Sequence, residues 1–297
     1  MANQNLEELQ LFTKAEFPNQ DVLFIGDGWS SFAFQAGKKI IRFPKVSLDA
    51  YRKEQRVLNF VRPYLSVNIP NLTIIEGKHP YVMHDIIGGQ NWSAQTFEEL
   101  TLSEKDNFCL DIACFLHEMH AIPLSSAQET LPASDLLKQL PPPQSALAAA
   151  LGNMYSASRL DKVYRLLELR EKTCKDKVLL YNDFYAGNSV VDNKHRLCGV
   201  FDFVDVSVAD RHYDFRRIYA CYPGEIFSRI INHYQQISHR EINLTKVKLL
   251  RMTECISCIV YFHRNPHLKL RLEHEWLKQL ENLQKLIDMP ESEFNLS

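Results

Sequence analysis

The chain has 297 residues, 45% of them apolar and 24% charged, with 34 basic against 36 acidic side chains and a formal charge of −2. That length can bury one large core or two modest ones. The composition is that of an ordinary soluble globular protein, and the charge balance gives no electrostatic footprint for nucleic acid. Met1 to Gln10 has neither the basic start nor the apolar core of a secretory signal, and no run approaches about 18 consecutive apolar residues. A cytoplasmic protein without a membrane partner is expected. The seven cysteines are odd in number and irregularly spaced, which points to free thiols. Cys255 and Cys258 form one CxxC among Ile256, Ile259 and Val260, and read as buried helical cysteines rather than a zinc or redox site.

In chain order, Val22 to Ile25, Phe32 to Gln35 and Lys39 to Phe43 read as three short strands, the first two joined by the turn Gly26-Asp-Gly-Trp-Ser-Ser. Glycines at 26 and 28 let a backbone fold over a ligand and offer its amides to phosphate, although a plain hairpin uses them equally well. After Pro44, Ser47 is a plausible N-cap for a helix over Leu48 to Val61, with Tyr51, Glu54, Val57, Leu58 and Val61 at helical spacing. Pro63 and Pro70, then strand-like Leu72 to Ile75 and Tyr81 to Met83, close a first segment, and Ile86-Ile-Gly-Gly reads as a linker.

Beyond the linker the pattern turns helical. Asp106 to His120 ends before Pro123, Leu160 to Arg170 is amphipathic, and Leu131 to Ala150 mixes Pro141-Pro-Pro with an alanine run. Apolar runs at Val178 to Tyr181, Ser189 to Val191 and Leu197 to Phe203 predict strands. The stretches 213 to 222, 224 to 237, 244 to 262 and 267 to 288 are helical by period, and no repeat of 20 to 50 residues is present. The fold class expected is α+β in two lobes: an antiparallel-sheet lobe over residues 1–86 and a larger, mainly helical lobe over 87–297.

The strands between 178 and 203 carry Asp183, Asn188 and Asp202 at their ends and in the loop between them. Phosphoryl transfer needs little covalent help from protein, because its barrier yields to positioning and to charge neutralisation on the phosphates. One carboxylate to receive a hydroxyl proton, with an amide and a second carboxylate for magnesium, is close to a minimal set. A strand-end cap at Asp183 and a turn former at Asp202 are the plain structural alternatives.

An ordered series of motifs joins these residues. It comprises Phe24-Ile-Gly-Asp-Gly-Trp-Ser-Ser-Phe-Ala-Phe, Ile41-Arg-Phe-Pro-Lys, Tyr81-Val-Met-His-Asp-Ile-Ile-Gly-Gly and Phe115-Leu-His-Glu-Met-His-Ala-Ile. Asn182-Asp-Phe-Tyr-Ala-Gly-Asn and Arg196-Leu-Cys-Gly-Val-Phe-Asp-Phe-Val-Asp-Val-Ser-Val-Ala-Asp-Arg-His-Tyr-Asp-Phe complete it. The series resembles the aminoglycoside phosphotransferases of protein-kinase-like fold, most nearly their 2″-phosphotransferase group, which are enzymes of antibiotic resistance. The resemblance implies Asp183 as the catalytic aspartate, and Asn188 and Asp202 as holders of Mg2+. It implies Gly26, Gly28, Ser30 and Ser31 over the nucleotide phosphates, and Arg42 paired with Glu54. Met83 would back the purine pocket, with the backbone from His84 to Ile86 along the base edge. ATP and GTP both stay open as phosphate donor, and Asp210 and Asp214 match later acidic positions that hold the catalytic loop and a helix start.

Three residues depart from the family pattern. Arg42 stands where lysine is usual, with Lys45 as the alternative cation, and arginine keeps the charge while offering a fork to phosphate oxygens. Tyr181 replaces a histidine two residues before Asp183, and Val204 replaces the glycine after Asp202-Phe203, which argues for one fixed conformation of that loop. For the acceptor, a polycationic aminoglycoside calls for carboxylates. Asp183 and Asp205 supply some, with Glu225, Glu254, Glu273 and Glu275 as further candidates. Trp276 and Tyr261 are candidates to stack on a sugar, though aromatic residues at helical spacing also serve as core, and Arg264 suits a cationic ligand only if paired. The reading is thus a monomeric kinase of a small hydroxylated molecule, with an aminoglycoside first and a macrolide or metabolite behind it. A non-catalytic nucleotide-binding protein on the same fold is the alternative.

Overall fold

The structure, a computed structural model of the chain, describes residues 5–28, 30–45, 47–126, 143–152, 154–168, 176–222 and 224–294. By its internal contacts the chain forms two compact units. The first comprises Met1–Asp111, Ile122–Pro132 and Ala186–Val206, and the second Ile112–Ala121, Ala133–Tyr185 and Ser207–Ser297. They are not the segments divided at residue 86, because residues 87–111 and 186–206 group with the N-terminal sheet.

In the first unit, β1 (Val22–Asp27), β2 (Ser31–Ala36), β3 (Lys39–Pro44), β4 (Thr73–Ile75) and β5 (Tyr81–Asp85) form one antiparallel sheet in the order β1-β2-β3-β5-β4. Alternation along the strands makes two faces. Phe34, Ala36, Ile41, Phe43 and Tyr81 pack with Leu9 of α1 (Leu6–Glu16), while Val82 packs with Leu48 and Tyr51 at the start of α2 (Asp49–Val61). The expected helical face of α2 is the buried one, at Tyr51, Glu54, Val57, Leu58 and Val61. Ser47 Oγ accepts the Asp49 amide at 3.2 Å, but the N-cap is Leu48, one residue later than the expected Ser47. Helix α1, capped by Asn5, has no counterpart among the sequence expectations.

After the short helix α3 (Ala94–Glu98), helix α4 (Leu102–Ala121) starts four residues before the expected Asp106. Thr101 and Glu104 form a reciprocal capping box, the Thr101 amide donating to Glu104 at 2.9 Å and the Glu104 amide to Thr101 Oγ1 at 3.3 Å. The hairpin of β7 (Ser189–Val191) and β8 (Leu197–Val200) joins the first unit through bridges from Gln90 to Val191 and from Asn68 to Gly199. Gly89, at φ +148°, lies where a Cβ would come within 2.8 Å of Val190 Cβ and 2.9 Å of Cys198 Sγ, so this end of the linker must be glycine.

The second unit is built around α9 (Leu244–Arg264), buried at Leu249, Met252, Cys255, Ile256 and Ile259. Against it pack Leu147 and Leu151 of α5 (Gln144–Leu151), Val163 and Leu166 of α6 (Ala157–Glu168), and Leu283, Leu286 and Ile287 of α11 (Glu273–Asp288). A helix apolar on most sides belongs inside. Burial pushes the Cys255 thiol up to about 12 and the Cys258 thiol up to about 11, so both stay protonated at neutral pH. Strand β6 (Lys177–Leu180) pairs antiparallel with β9 (Ser207–Asp210), a strand outside the sequence expectations. Helices α7 (His212–Cys221) and α8 (Glu225–Ser238) follow. The single helix expected over 267 to 288 is two, α10 (Pro266–Arg271) and α11, parted at Leu272. The first part of the mixed segment at 131 to 150 and the end of the Leu160 to Arg170 helix lie outside the described residues. Among the described residues no helix is long and apolar enough to cross a membrane.

Candidate active site

The first unit gathers most of the expected nucleotide residues. The β1–β2 turn closes through the Gly28 amide, 3.0 Å from the Ser31 carbonyl, and the Lys45 amide donates to the Ser30 carbonyl at 2.8 Å. Among the described residues nothing lies within 4 Å of a Cβ built on Gly26, and on Gly28 the nearest atom is the Ser31 carbonyl at 3.5 Å. Neither glycine has a positive φ. The chain's own packing therefore does not demand glycine there, and the open faces are the kind a phosphate chain can approach. Lys45 donates to Asp27 and to the Gly28 carbonyl, and its ammonium stands 4.7 Å over the Phe32 ring. It belongs to the turn.

Arg42 is tied elsewhere. Its Nη2 donates to Glu54 Oε2 at 2.7 Å, with the guanidinium 4.8 Å over the Tyr51 ring. Burial works against its charge, but Glu54, Tyr51 and Asp202 outweigh it and hold the guanidinium above its ordinary value. Glu54 is completely buried, and its other oxygen accepts the Phe203 amide at 3.2 Å. One carboxylate thus links the third-strand cation to the residue after Asp202. Lys53 adds a second tie, donating to the Val204 carbonyl at 2.8 Å.

Asn188 and Asp202 flank the open end of the β7–β8 hairpin, where the Phe201 amide donates to the Asn188 carbonyl at 2.9 Å just beyond the Ser189–Val200 pair. Asp202 has φ +62°, an uncommon state for a residue with a side chain. Val204 itself has no positive φ, and the ties from Glu54 and Lys53 fix the loop around Asp202. Among the described residues no cluster of three or more His, Cys, Asp or Glu side chains forms a self-contained metal site. An amide and a carboxylate suit magnesium, which binds through few protein oxygens and completes its shell with water and substrate phosphates.

On β5, half-buried Met83 is paired with Ile41 and buried His84 with Ile40. Burial draws the His84 imidazole below its usual value, and Nδ1 lies 2.9 Å from the Asp85 carbonyl. The Ile86 amide donates to the Lys38 carbonyl at 2.9 Å, so that group is engaged within the sheet.

The second unit holds Asp183 on a loop anchored from below. Tyr181 is wholly buried, its ring edge-on to Phe115 at 5.3 Å and to Phe184 at 6.2 Å. Asp214 accepts the Tyr181 amide at 3.1 Å, the Asn182 amide at 2.5 Å and His120 Nε2 at 2.9 Å. Asn182 has φ +76° and donates from its side chain to Ser207 Oγ at 2.6 Å. Asp210 binds the His212 amide at 3.0 Å, its imidazole at 2.5 Å and Lys246 at 2.6 Å, fixing the start of α7. Asp214 therefore holds the loop that carries Asp183, and Asp210 holds the start of α7.

Sequence reasoning missed Arg217. Its Nε lies 2.8 Å from Asp183 Oδ1 as an ion pair, without the alignment of a hydrogen bond. Burial disfavours its charge, and Asp183 and Glu254 more than offset that, raising it above the ordinary value. A helical arginine thirty-odd residues downstream gives no local signal of such a partner. Glu254, a candidate acceptor acid, is taken up instead by Arg251 at 2.5 Å and Arg216 at 3.6 Å. Burial would raise its carboxyl, yet Arg216, Arg251 and Arg217 hold it down to about 2. Glu225 pairs with Arg229 at 2.8 Å. Of the other acceptor candidates, Asp205 is exposed in the first unit and Glu273 is exposed at the start of α11. Trp276 carries the Lys269 ammonium 3.6 Å from its ring centroid, so one stacking face is already covered by a cation.

Residues 21–250 match the model of the phosphotransferase enzyme family. The chain belongs to this family. No curated protein sequence matches it. Among solved structures it is similar to the GDP complex of wild-type aminoglycoside 2'-phosphotransferase-IIIa, with a TM-score of 0.76 and 20% identity over 96% of this chain and 99% of that one. It is also similar to ADP-bound aminoglycoside phosphotransferase APH(2'')-Ib, with a TM-score of 0.70 and 20% identity over 98% and 100% of the two chains. Macrolide 2'-phosphotransferase MphH from Brachybacterium faecium follows at a TM-score of 0.65 and 16% identity over 96% and 99%. The fold is thus that of the kinase-like antibiotic phosphotransferases, an antiparallel-sheet lobe with a helical lobe, as the sequence predicts.

Proposed function

We propose that this phosphotransferase moves the γ-phosphoryl group of ATP or GTP to a hydroxyl of an aminoglycoside. The observation that carries the reading is the buried Glu54, bonded at once to Arg42 and to the Phe203 amide. A strand cation paired with a helix glutamate, tied to the proposed metal loop, is the arrangement by which kinase-like folds place the phosphates. Arginine here replaces lysine without losing the charge.

In the proposed reaction the acceptor oxygen attacks the γ-phosphorus, the bond from that phosphorus to the bridging oxygen breaks, and the nucleoside diphosphate leaves. Asp183 orients the hydroxyl and takes its proton. Within the first unit, residues 1–86 are the proposed nucleotide lobe, with Gly26, Gly28, Ser30 and Ser31 over the phosphates, Arg42 on them, and Met83, His84 and Ile86 around the base. Residues 87–297 form the catalytic and acceptor lobe. Asn188 and Asp202 would hold Mg2+, which neutralises phosphate charge when bound. Asp205, Glu273 and Trp276 are the acceptor contacts proposed, Trp276 by the face that Lys269 does not cover. We take the protein to be a cytoplasmic monomer that binds neither nucleic acid nor membrane, and an antibiotic-resistance enzyme. The likeness to a macrolide phosphotransferase supports a macrolide acceptor as second reading.

The test is diphosphate release with ATP and with GTP against a panel of aminoglycosides and macrolides. Acceptor-dependent release that needs Mg2+ supports the proposal. Nucleotide binding with no release on any acceptor contradicts it in favour of a non-catalytic role.

A further inference from the structure

The Arg217–Asp183 contact bears on which hydroxyl is phosphorylated, and it rests on the reading of Asp183 as the base. An acceptor hydroxyl must come within hydrogen-bond reach of Asp183. A substituent on the adjoining carbon then stands a few ångströms from whatever else touches that carboxylate. One such group in this protein is the Arg217 guanidinium, 2.8 Å from Oδ1. The arginine is well anchored. Its side chain is only 23% exposed, it lies 5.3 Å over the Tyr185 ring, and Glu254 attracts it from within the unit. Glu254 does not offer a spare negative charge, being already shared among Arg216, Arg251 and Arg217. Lys278 and Arg251 act together with Arg217 on the Cys221 thiol, which burial holds neutral. Among these described groups Arg217 and three further cations, Arg216, Arg251 and Lys278, therefore gather with two carboxylates, Asp183 and Glu254. The wall beside the base is cationic.

We propose that Arg217 is a positioning and specificity-determining residue for Asp183. It supplies the positive charge next to the base, and so selects against acceptors in which an ammonium group flanks the reacting hydroxyl. A cation in that place on the acceptor meets a fixed guanidinium, and repulsion built into a site discriminates as effectively as attraction. Hydroxyls flanked by neutral groups meet no such cost, and ammonium groups farther from the reacting carbon remain free to meet other acids.

The experiment compares one aminoglycoside with its per-N-acetylated form, which keeps every hydroxyl and loses the charges. The kcat/KM ratio of free amine over acetylated form is read for wild type, Arg217→Gln, Arg217→Lys and Asp183→Asn. The proposal expects that ratio to rise at least about tenfold in Arg217→Gln and to stay within about threefold of wild type in Arg217→Lys. A residue that merely supports the fold would lower both rates together and leave the ratio alone. An unchanged ratio in Arg217→Gln overturns the proposal, as does an equal shift in Arg217→Lys, which would make shape rather than charge the cause. Where a variant turns over neither form, calorimetric affinities of the two forms for the nucleotide-bound protein give the same ratio. Full turnover by Asp183→Asn, or none by wild type, overturns the reading of Asp183 itself and the proposal with it.

Discussion

Glu54 in the first unit and Asp214 in the second are both buried carboxylates, and they do different work. Glu54 binds a guanidinium and one amide. Asp214 binds two successive amides and an imidazole. Around Asp214 every partner is part of the framework, so its loss leaves enclosed donors without an acceptor. Around Glu54 the main partner is a side chain still 16% exposed, whose charge is available to a ligand. Equal burial of a carboxylate thus says little about its role until its partners are named.

Substitution should separate the two. Asp214→Ala is expected to cost roughly 3 to 5 kcal/mol of stability, as for a buried group whose partners stay buried, and to lower activity both through the folded fraction and through the loosened loop that carries Asp183. Denaturant unfolding measures it. Glu54→Gln should cost less, about 1 to 2 kcal/mol, while kcat/KM falls about a hundredfold because Arg42 and the Asp202 loop lose their common anchor. Equal stability losses with activity tracking folding in both variants would erase the distinction. Arg42→Lys keeps the charge and loses the fork, and should stay within about tenfold of wild-type turnover in steady-state kinetics.

The smallest effect expected is one of pH. Glu254 has its carboxyl held at about 2, below the ordinary 4.5. A depressed carboxyl stabilises the fold fully above its unfolded value, and that share disappears as the pH falls through the folded one. The stability gap between wild type and Glu254→Gln should therefore narrow between pH 4.5 and about 2, followed by thermal unfolding across that range.

The parts of the site that were legible in the sequence are those written by local pattern. Tyr51, Glu54, Val57, Leu58 and Val61 repeat at helical spacing, and that spacing alone turns Glu54 inward with its apolar neighbours. The order of glycine turn, Arg42, Asp183, Asn188 and Asp202 was equally plain. What stayed hidden depends on distant partners or weak punctuation. Strand β9 has four residues and becomes a strand by pairing with β6, some thirty residues earlier. The break at Leu272 has no glycine or proline to mark it. Helix α1 buries only Leu9 and Thr13, too thin a stripe to stand out. The positive φ at Asp202 carried no signal, because a left-handed aspartate is written like any other. Arg217 was invisible because a helical arginine looks alike whether it faces water or the Asp183 carboxylate.

The central claim is that Asp183 serves as base for transfer from a bound nucleotide to a hydroxyl. The most direct measurement is acceptor phosphorylation, followed by mass spectrometry, in wild type and Asp183→Asn alongside the nucleotide affinity of each. The acceptor should gain a phosphoryl group with wild type, the rate should fall at least about a thousandfold in the variant, and nucleotide affinity should change less than about threefold. A variant that phosphorylates as fast as wild type would contradict the claim.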